Sequence, residues 1–308
     1  MQSSSDAPVR TMLKSLLFVP GDSERKMAKA RGSAASALIL DLEDAVTADR
    51  IHVARRMVGE FLRGERHGAT QEIWVRINPI SSLLCLPDLV AIVGAAPQGI
   101  MLPKVESARD VVLLDHYLTA LEAREGVASG SIRIIPVATE TPSALFALDT
   151  YRDASARLLG LTWGAEDLAT AIGASTNRAE TGEYEFTFQL ARSLCLVGAY
   201  AAGLQAIDTI SPDFRDHTRL EHEVRASRRA GFTGKMAIHP DQVDIINRGY
   251  CPDADEVRNA RAIIDAFDRA QGAGAVQLDG RMLDRPHLVQ ARRVLALAGD
   301  QSGAAPAA

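Results

Sequence analysis

IRIIPVATETP, residues 132–142, is an apolar, β-branched run that ends on a carboxylate and is followed by a proline where a helix can begin. Glu140 therefore falls at the carboxyl end of a buried strand. The same arrangement recurs in LLGLTWGAEDLA, residues 158–169, where the apolar run breaks at Gly164 and Asp167 opens the next helix. Desolvating a carboxylate is costly unless a cation or hydrogen bonds compensate it. A divalent ion shared by Glu140 and Asp167 would compensate both.

Working outward, the same strand-then-helix unit repeats along the chain. Towards the amino end, SLLFVP (15–20) precedes a helix in DSERKMAKARG (22–32), with Asp22 or Ser23 as cap and Gly32 as terminator. ALILDLEDAV (37–46) precedes TADRIHVARRMVGEFLRG (47–64), EIWVRINP (72–79) a helix near 87–96, and GIMLPKVE (99–106) a helix over 108–124. A helix is expected from Pro142 and helical material up to Gly203. QAIDTISP (205–212) then leads to a helix over 218–230, and GKMAIHP (234–240) to one over 241–247. Eight such units within the first ~250 residues match an α/β fold of the (β/α)₈ TIM-barrel type. The strands are continuous apolar runs, as parallel strands buried on both faces should be. An open doubly wound sheet is the competing architecture, disfavoured by the count of eight and by the absence of a G-x-G-x-x-G turn after the first strand.

Beyond the barrel come a strongly amphipathic helix (253–274), a short extended piece GAVQLDGRMLD (274–284) and a further helix, RPHLVQARRVLALAG (285–299). The expected organisation is a flexible leader over 1–14, a barrel over 15–250, a helical lid extension over 251–298 and a disordered tail over 299–308.

Composition narrows the function classes. A formal charge of −5 and 47% apolar residues describe a globular chain, and no basic block interleaved with aromatics argues for nucleic acid. Cys85, Cys195 and Cys251 are odd in number, far apart and without C-x-x-C spacing, so they are expected as buried fillers in a reducing compartment. The start MQSSSDAPVR has no apolar signal core, and no apolar run approaches the ~20 residues a membrane helix needs. A cytoplasmic protein without membrane attachment is expected.

In such a barrel, reactive groups project from the carboxyl ends of the strands. Those ends carry Asp41, Glu43 and Asp44; Arg76 and Asn78; Lys104 and Glu106; Glu140; Asp167; Asp208; and His239. The donor set is oxygen, which suits Mg²⁺ or Mn²⁺ rather than zinc, and Mg²⁺ needs only one or two carboxylates, so Glu140 and Asp167 suffice. That ion would hold and polarise an α-keto or hydroxy acid. Arg76 can grip a carboxylate with a two-point fork. Asp41, Glu43 and Asp44 would orient metal-bound waters or hold Lys104 and Arg76, with capping of the next helix by Asp44 or Thr47 as the alternative. His239 is expected to pack.

LLFVPGDSERKMAKA, LILDLEDAV, VRINP, LPKVES, ETPSAL, WGAEDLA, GKMAIHPDQ and LDGRMLDRPHLVQAR occur in this order. With them the chain resembles the citrate lyase β-subunit-like proteins, relatives of malyl-CoA and citramalyl-CoA lyases in the HpcH/HpaI aldolase/citrate lyase family, from about residue 15 to 297. The resemblance implies a Mg²⁺-dependent carbon–carbon lyase. It would cleave a 3-hydroxyacyl-CoA thioester such as malyl-CoA or citramalyl-CoA to acetyl-CoA and a keto acid. It further implies Glu140 and Asp167 as metal ligands, Arg76 on the keto-acid carboxylate, and Phe18, Arg25 and Lys26 at coenzyme A. Asp284, with Asp279 as the nearby alternative, is implied as an acid/base delivered by a lid crossing to a neighbour in a homo-oligomer, a trimer or hexamer. ETPSAL departs from the ETARG-like form common in relatives, and residues 173–185, with Arg178 and Glu180, carry no assignment. The rival expectations are a citrate lyase β subunit acting on a citryl thioester carried by an acyl-carrier protein, and a non-catalytic binding or assembly subunit.

Overall fold

Eight short strands, none longer than six residues, alternate with helices along the first 249 residues of the computed structural model, which describes residues 12–64, 71–270 and 274–299. In chain order they are β1 (Ser15–Pro20), α1 (Glu24–Arg31), β2 (Ala37–Asp41), α2 (Ile51–Gly64), β3 (Glu72–Arg76), α3 (Cys85–Ile92), β4 (Gly99–Leu102), α4 (Ala108–Glu125), β5 (Arg133–Pro136), β6 (Gly160–Thr162), α5 (Glu166–Ile172), α6 (Phe186–Ala201), β7 (Gln205–Asp208), α7 (His217–Ala230), β8 (Gly234–Ala237) and α8 (Pro240–Gly249). The strands pair in parallel in the order β5-β4-β3-β2-β1-β8-β7-β6. Bridges Ile134↔Leu158 and Val137↔Thr162 join the two ends of that order and close the TIM barrel.

The apolar strands have two buried faces. Leu16, Ile39, Trp74, Met101, Ile135, Ile207 and Met236 cluster together as the barrel filling, while their neighbours Leu38, Leu40 and Ile134 are equally buried on the other face. The Trp74 ring occupies the space beside Gly99, where an added Cβ would lie 2.2 Å from the indole. Leu13 is 2% exposed and belongs to the same cluster. The barrel packing therefore begins ahead of β1, inside the stretch expected as leader; residues 1–11 and 300–308, the rest of the leader and nearly all of the tail, lie outside the described residues.

Local departures from the expected elements have local causes. No α-helix follows β5: two 3₁₀ turns, Ser143–Phe146 and Leu148–Tyr151, stand there instead. The Thr141 hydroxyl donates to the Val105 carbonyl and accepts the Ala144 N–H, which offers the backbone an alternative to helical pairing. Helix α2 begins at Ile51, so neither Asp44 nor Thr47 is its first cap residue. Ser23 is the N-cap of α1 without a side-chain bond, and Asp22 pairs with Arg50 at 2.7 Å.

The chain divides into two compact units after Asn247. The second contains α9 (Ala254–Arg269), β9 (Ala275–Leu278), β10 (Arg281–Asp284) and α10 (Arg285–Leu297). The extended piece is an antiparallel hairpin. Asp279 and Gly280 both adopt positive φ at its turn, 49° and 77°, as an Asp-Gly pair does in a two-residue hairpin loop. Ala260, Ile263, Phe267, Leu283, Ala291 and Leu295 form this unit's own core. Cys85 and Cys195 are buried fillers as expected, but Cys251 is exposed, its neighbour Tyr250 taking the buried place. No helix among the described residues is long and apolar enough to cross a membrane.

Candidate active site

A cavity of about 410 Å³ opens at the carboxyl ends of the strands, with Phe18, Asp41, Arg76, Glu140, Trp163 and Asp167 on its walls. Side chains along a strand alternate faces, so Asp41 and Arg76, two residues beyond the inward Ile39 and Trp74, also point inward. They are direct register partners. Arg76 closes a fork on Asp41, Nε to Oδ1 at 2.8 Å and Nη2 to Oδ2 at 2.6 Å. The backbone N–H groups of Glu43 and Ala45 donate to the same carboxylate at 3.0 and 3.1 Å, tying down the loop after β2. Arg76 Nη1 meets Glu43 at 2.9 Å and, more loosely, Asp44 at 3.4 Å. The guanidinium lies 4.9 Å from the Phe18 ring centre.

Lys104 joins this group to the two strand-end acids. Its backbone N–H donates to Glu140 Oε2 at 2.6 Å, and its ammonium contacts Glu43, Asp44 at 3.4 Å and Asp167 at 3.2 Å. Burial disfavours that ammonium's charge, but the carboxylates overcome this and hold its pKa above the usual lysine value. Burial pushes the Glu43 carboxyl up to about 7 against the pull of Arg76 and Lys104. Glu140 is 5% exposed, and burial, reinforced by the Asp167 charge, pushes it up to about 8. Gly164 makes room for it, since a Cβ there would lie 2.8 Å from Glu140 Cγ.

These residues fit a bound Mg²⁺ or Mn²⁺. Among the described residues Glu140 accepts a single hydrogen bond, from the Lys104 N–H. It stands close enough to Asp167 for like-charge repulsion to raise its pKa. The Lys104 ammonium, 3.2 Å from Asp167, offsets that repulsion only in part. Two protein carboxylates, with water or substrate in the remaining positions, are what Mg²⁺ usually takes.

Not every strand-end residue joins the site. Asp208 turns away: it is 3% exposed and accepts from Arg192 at 3.0 and 2.8 Å and from Trp163 Nε1 at 2.6 Å. Asn78 bonds Leu42 and Asp88, and Glu106 is exposed. His239 stacks on Phe214 at 4.6 Å. Phe18 lines the cavity, whereas Arg25 and Lys26 are exposed on α1 and are not among its lining residues. In the second unit, Asp284 is the N-cap of α10, with His287 Nδ1 2.6 Å from its Oδ1.

Sequence reasoning passed over two wall residues, Thr162 and Trp163. The Thr162 hydroxyl is buried on the cavity wall without a protein partner. Trp163 packs edge-on against Tyr184 at 5.1 Å, and Arg178 lies 3.9 Å over that tyrosine ring, so the unassigned segment 173–185 backs the wall. A buried indole needs an acceptor, and an acid at a nearby strand end was the available signal.

The family model HpcH/HpaI aldolase/citrate lyase matches residues 14–240. Over 284 residues the chain is 34% identical to the citrate lyase subunit beta of Haemophilus influenzae, covering 92% of this chain and 95% of that protein. It is 34% identical over 289 residues to a (3S)-malyl-CoA thioesterase of Cereibacter sphaeroides, covering 92% and 94%. Among solved structures, the CitE protein of Mycobacterium tuberculosis, in complex with magnesium, acetoacetate and coenzyme A, superposes with a TM-score of 0.77 at 31% identity, covering 93% of this chain and 98% of that one. On the family match across nearly the whole barrel and these near end-to-end relatives, the chain belongs to the HpcH/HpaI aldolase/citrate lyase family.

Proposed function

We propose that this protein is a Mg²⁺-dependent carbon–carbon lyase that cleaves a 3-hydroxyacyl-CoA thioester of the malyl-CoA or citramalyl-CoA type, giving acetyl-CoA and a keto acid. The observation that carries this reading is the pairing of Glu140 and Asp167, which keeps the Glu140 pKa raised in spite of the nearby Lys104 and Arg76, on a cavity that also presents Arg76. Glu140 and Asp167 would hold the ion, and Mg²⁺, when bound, supplies Lewis acidity and positive charge toward the oxygens of the hydroxy acid. Arg76 would bind the carboxylate of the keto-acid part through Nη1, where Asp44, the loosest and most exposed of its partners, can be displaced. Phe18 covers the guanidinium and limits water there.

As the carbon–carbon bond breaks, its electron pair passes to the acetyl thioester as an enolate, and the substrate hydroxyl becomes the keto-acid carbonyl by giving its proton to water. Asp284, brought by a neighbouring copy in a homo-oligomer, would protonate the enolate carbon. The Asp284→Asn variant is expected to bind the thioester normally and to lose about 10²-fold or more in turnover. Unchanged turnover would transfer the role to Asp279.

The decisive assay is keto-acid release from malyl-, citramalyl-, β-methylmalyl- and citryl-CoA by the purified chain, with Mg²⁺ and then with EDTA. EDTA-sensitive release of keto acid with acetyl-CoA from one thioester is expected. A second reading has support in the equal 34% identity to a citrate lyase subunit and to a thioesterase. Cleavage of citryl thioester only when presented on an acyl-carrier protein, or release of free CoA without a keto acid, would select one of those activities instead.

A further inference from the structure

Arg76 serves Asp41, Glu43 and Asp44. Among the described residues, Lys104 is the cation paired with Asp167, at 3.2 Å, while its N–H holds Glu140. Its backbone sits at φ 52°, a left-handed conformation that a long, non-glycine side chain rarely adopts. Strain of this kind persists where the surrounding contacts over-determine it, and here both ends of the residue are held by acids.

We propose that Lys104 is a built-in counter-ion: its ammonium balances Asp167 when no divalent ion is present and must leave Asp167 for the ion to bind. The inference rests on the assignment of Glu140 and Asp167 as the metal ligands. An ammonium and a divalent cation on one carboxylate repel each other, strongly so where water is scarce. Lys104 has somewhere to go, because Glu43 and Asp44 already touch its ammonium. Its N–H contact to Glu140 does not depend on the side chain and persists through the exchange. Lysine thus lowers the site's affinity for the ion while offsetting part of the acids' mutual repulsion in the ion's absence.

The experiment is a Mn²⁺ titration of the full chain, free Mn²⁺ being read by electron paramagnetic resonance and Mg²⁺ used as competitor. Two neutral variants, Lys104→Asn and Lys104→Gly, suit the left-handed backbone and remove the charge. Mn²⁺ binding is expected to tighten by about tenfold in the neutral variants, as loss of a nearby unit charge implies. Lys104→Arg, which keeps the charge, is expected to remain near the wild type. Equal or weaker binding in folded neutral variants, or equal tightening in the Arg variant, overturns the exchange while leaving the metal site standing, provided that Glu140→Gln abolishes wild-type binding. Wild-type binding that is absent or insensitive to Glu140 overturns both the exchange and the metal assignment.

Discussion

Replacing Glu140 by Gln is expected to lower Mg²⁺-dependent thioester cleavage by about 10³-fold or more, since removing a ligand carboxylate removes the charge stabilisation the reaction depends on. The barrel should remain folded: Gln is close in shape, and its amide oxygen can still accept the Lys104 N–H that Glu140 accepts at 2.6 Å. Thermal melts in EDTA separate a chemical loss from a structural one. Because the folded-state pKa of Glu140 is raised from 4.5 to about 8, its contribution to the stability of the metal-free protein is full below the unfolded value and is lost as the pH rises through about 8. The Gln variant has no such loss. It should melt at or above the wild-type temperature at pH 8.5, with the gap closing towards pH 5. A variant that is inactive and also melts lower at pH 8.5 would mean that Glu140 is a packing residue and the metal assignment is wrong.

Asp208→Asn is expected to have the largest effect on stability, a loss of about 3–5 kcal/mol, the usual consequence of removing one member of a buried ion pair. Asp208 is 3% exposed and faces Arg192 and Lys235, the latter 2% exposed and its register partner across β7 and β8. The variant leaves Lys235 to the longer Glu223 contact at 3.6 Å, weakens the Arg192 fork and degrades the Trp163 acceptor. Burial opposes the Asp208 charge, yet Lys235 and Arg192 hold its pKa well below the usual carboxylate range. Its contribution is therefore present above the unfolded value of 3.8 and is lost only as the pH falls through the lower folded value. Urea unfolding at pH 7 should show the full deficit, and the difference from wild type should shrink below pH 4. A deficit under 1 kcal/mol at pH 7 would mean that the Arg192–Asp208–Lys235 arrangement contributes little to the barrel.

Asp208 also marks the boundary of what local sequence can say. Glu140, Asp167 and Asp208 each stand at or just beyond the end of an apolar run, and reading them as one ring of acids treated them alike. The structure separates them because Ile207 takes the inward position on β7, which sends Asp208 outward to Arg192 of α6. On β2 and β3 it is Ile39 and Trp74 that point inward, so Asp41 and Arg76 continue into the cavity. A strand buried on both faces has no polar alternation to reveal which parity is which.

Charged residues inside helices show the same limit. Glu122 of α4 and Asp88 of α3 are fully buried, held by Arg157 at 2.7 Å and Arg55 at 2.7 Å. These partners are 35 and 33 residues away in the chain, and helical periodicity alone places such acids on solvent.

The amino-acid sequence by itself determined the eight strands and the helices after all of them but β5, hence the barrel, and put Glu140, Asp167 and Arg76 at or just beyond strand ends, because those features are written in runs and breaks a few residues long. The tertiary structure alone decided which acids share the cavity, that the Arg76 fork closes on Asp41, and that Lys104 stands between Glu43 and Asp167. Those pairings join residues 35 to 63 positions apart, and only barrel closure and strand register bring such residues within hydrogen-bonding reach.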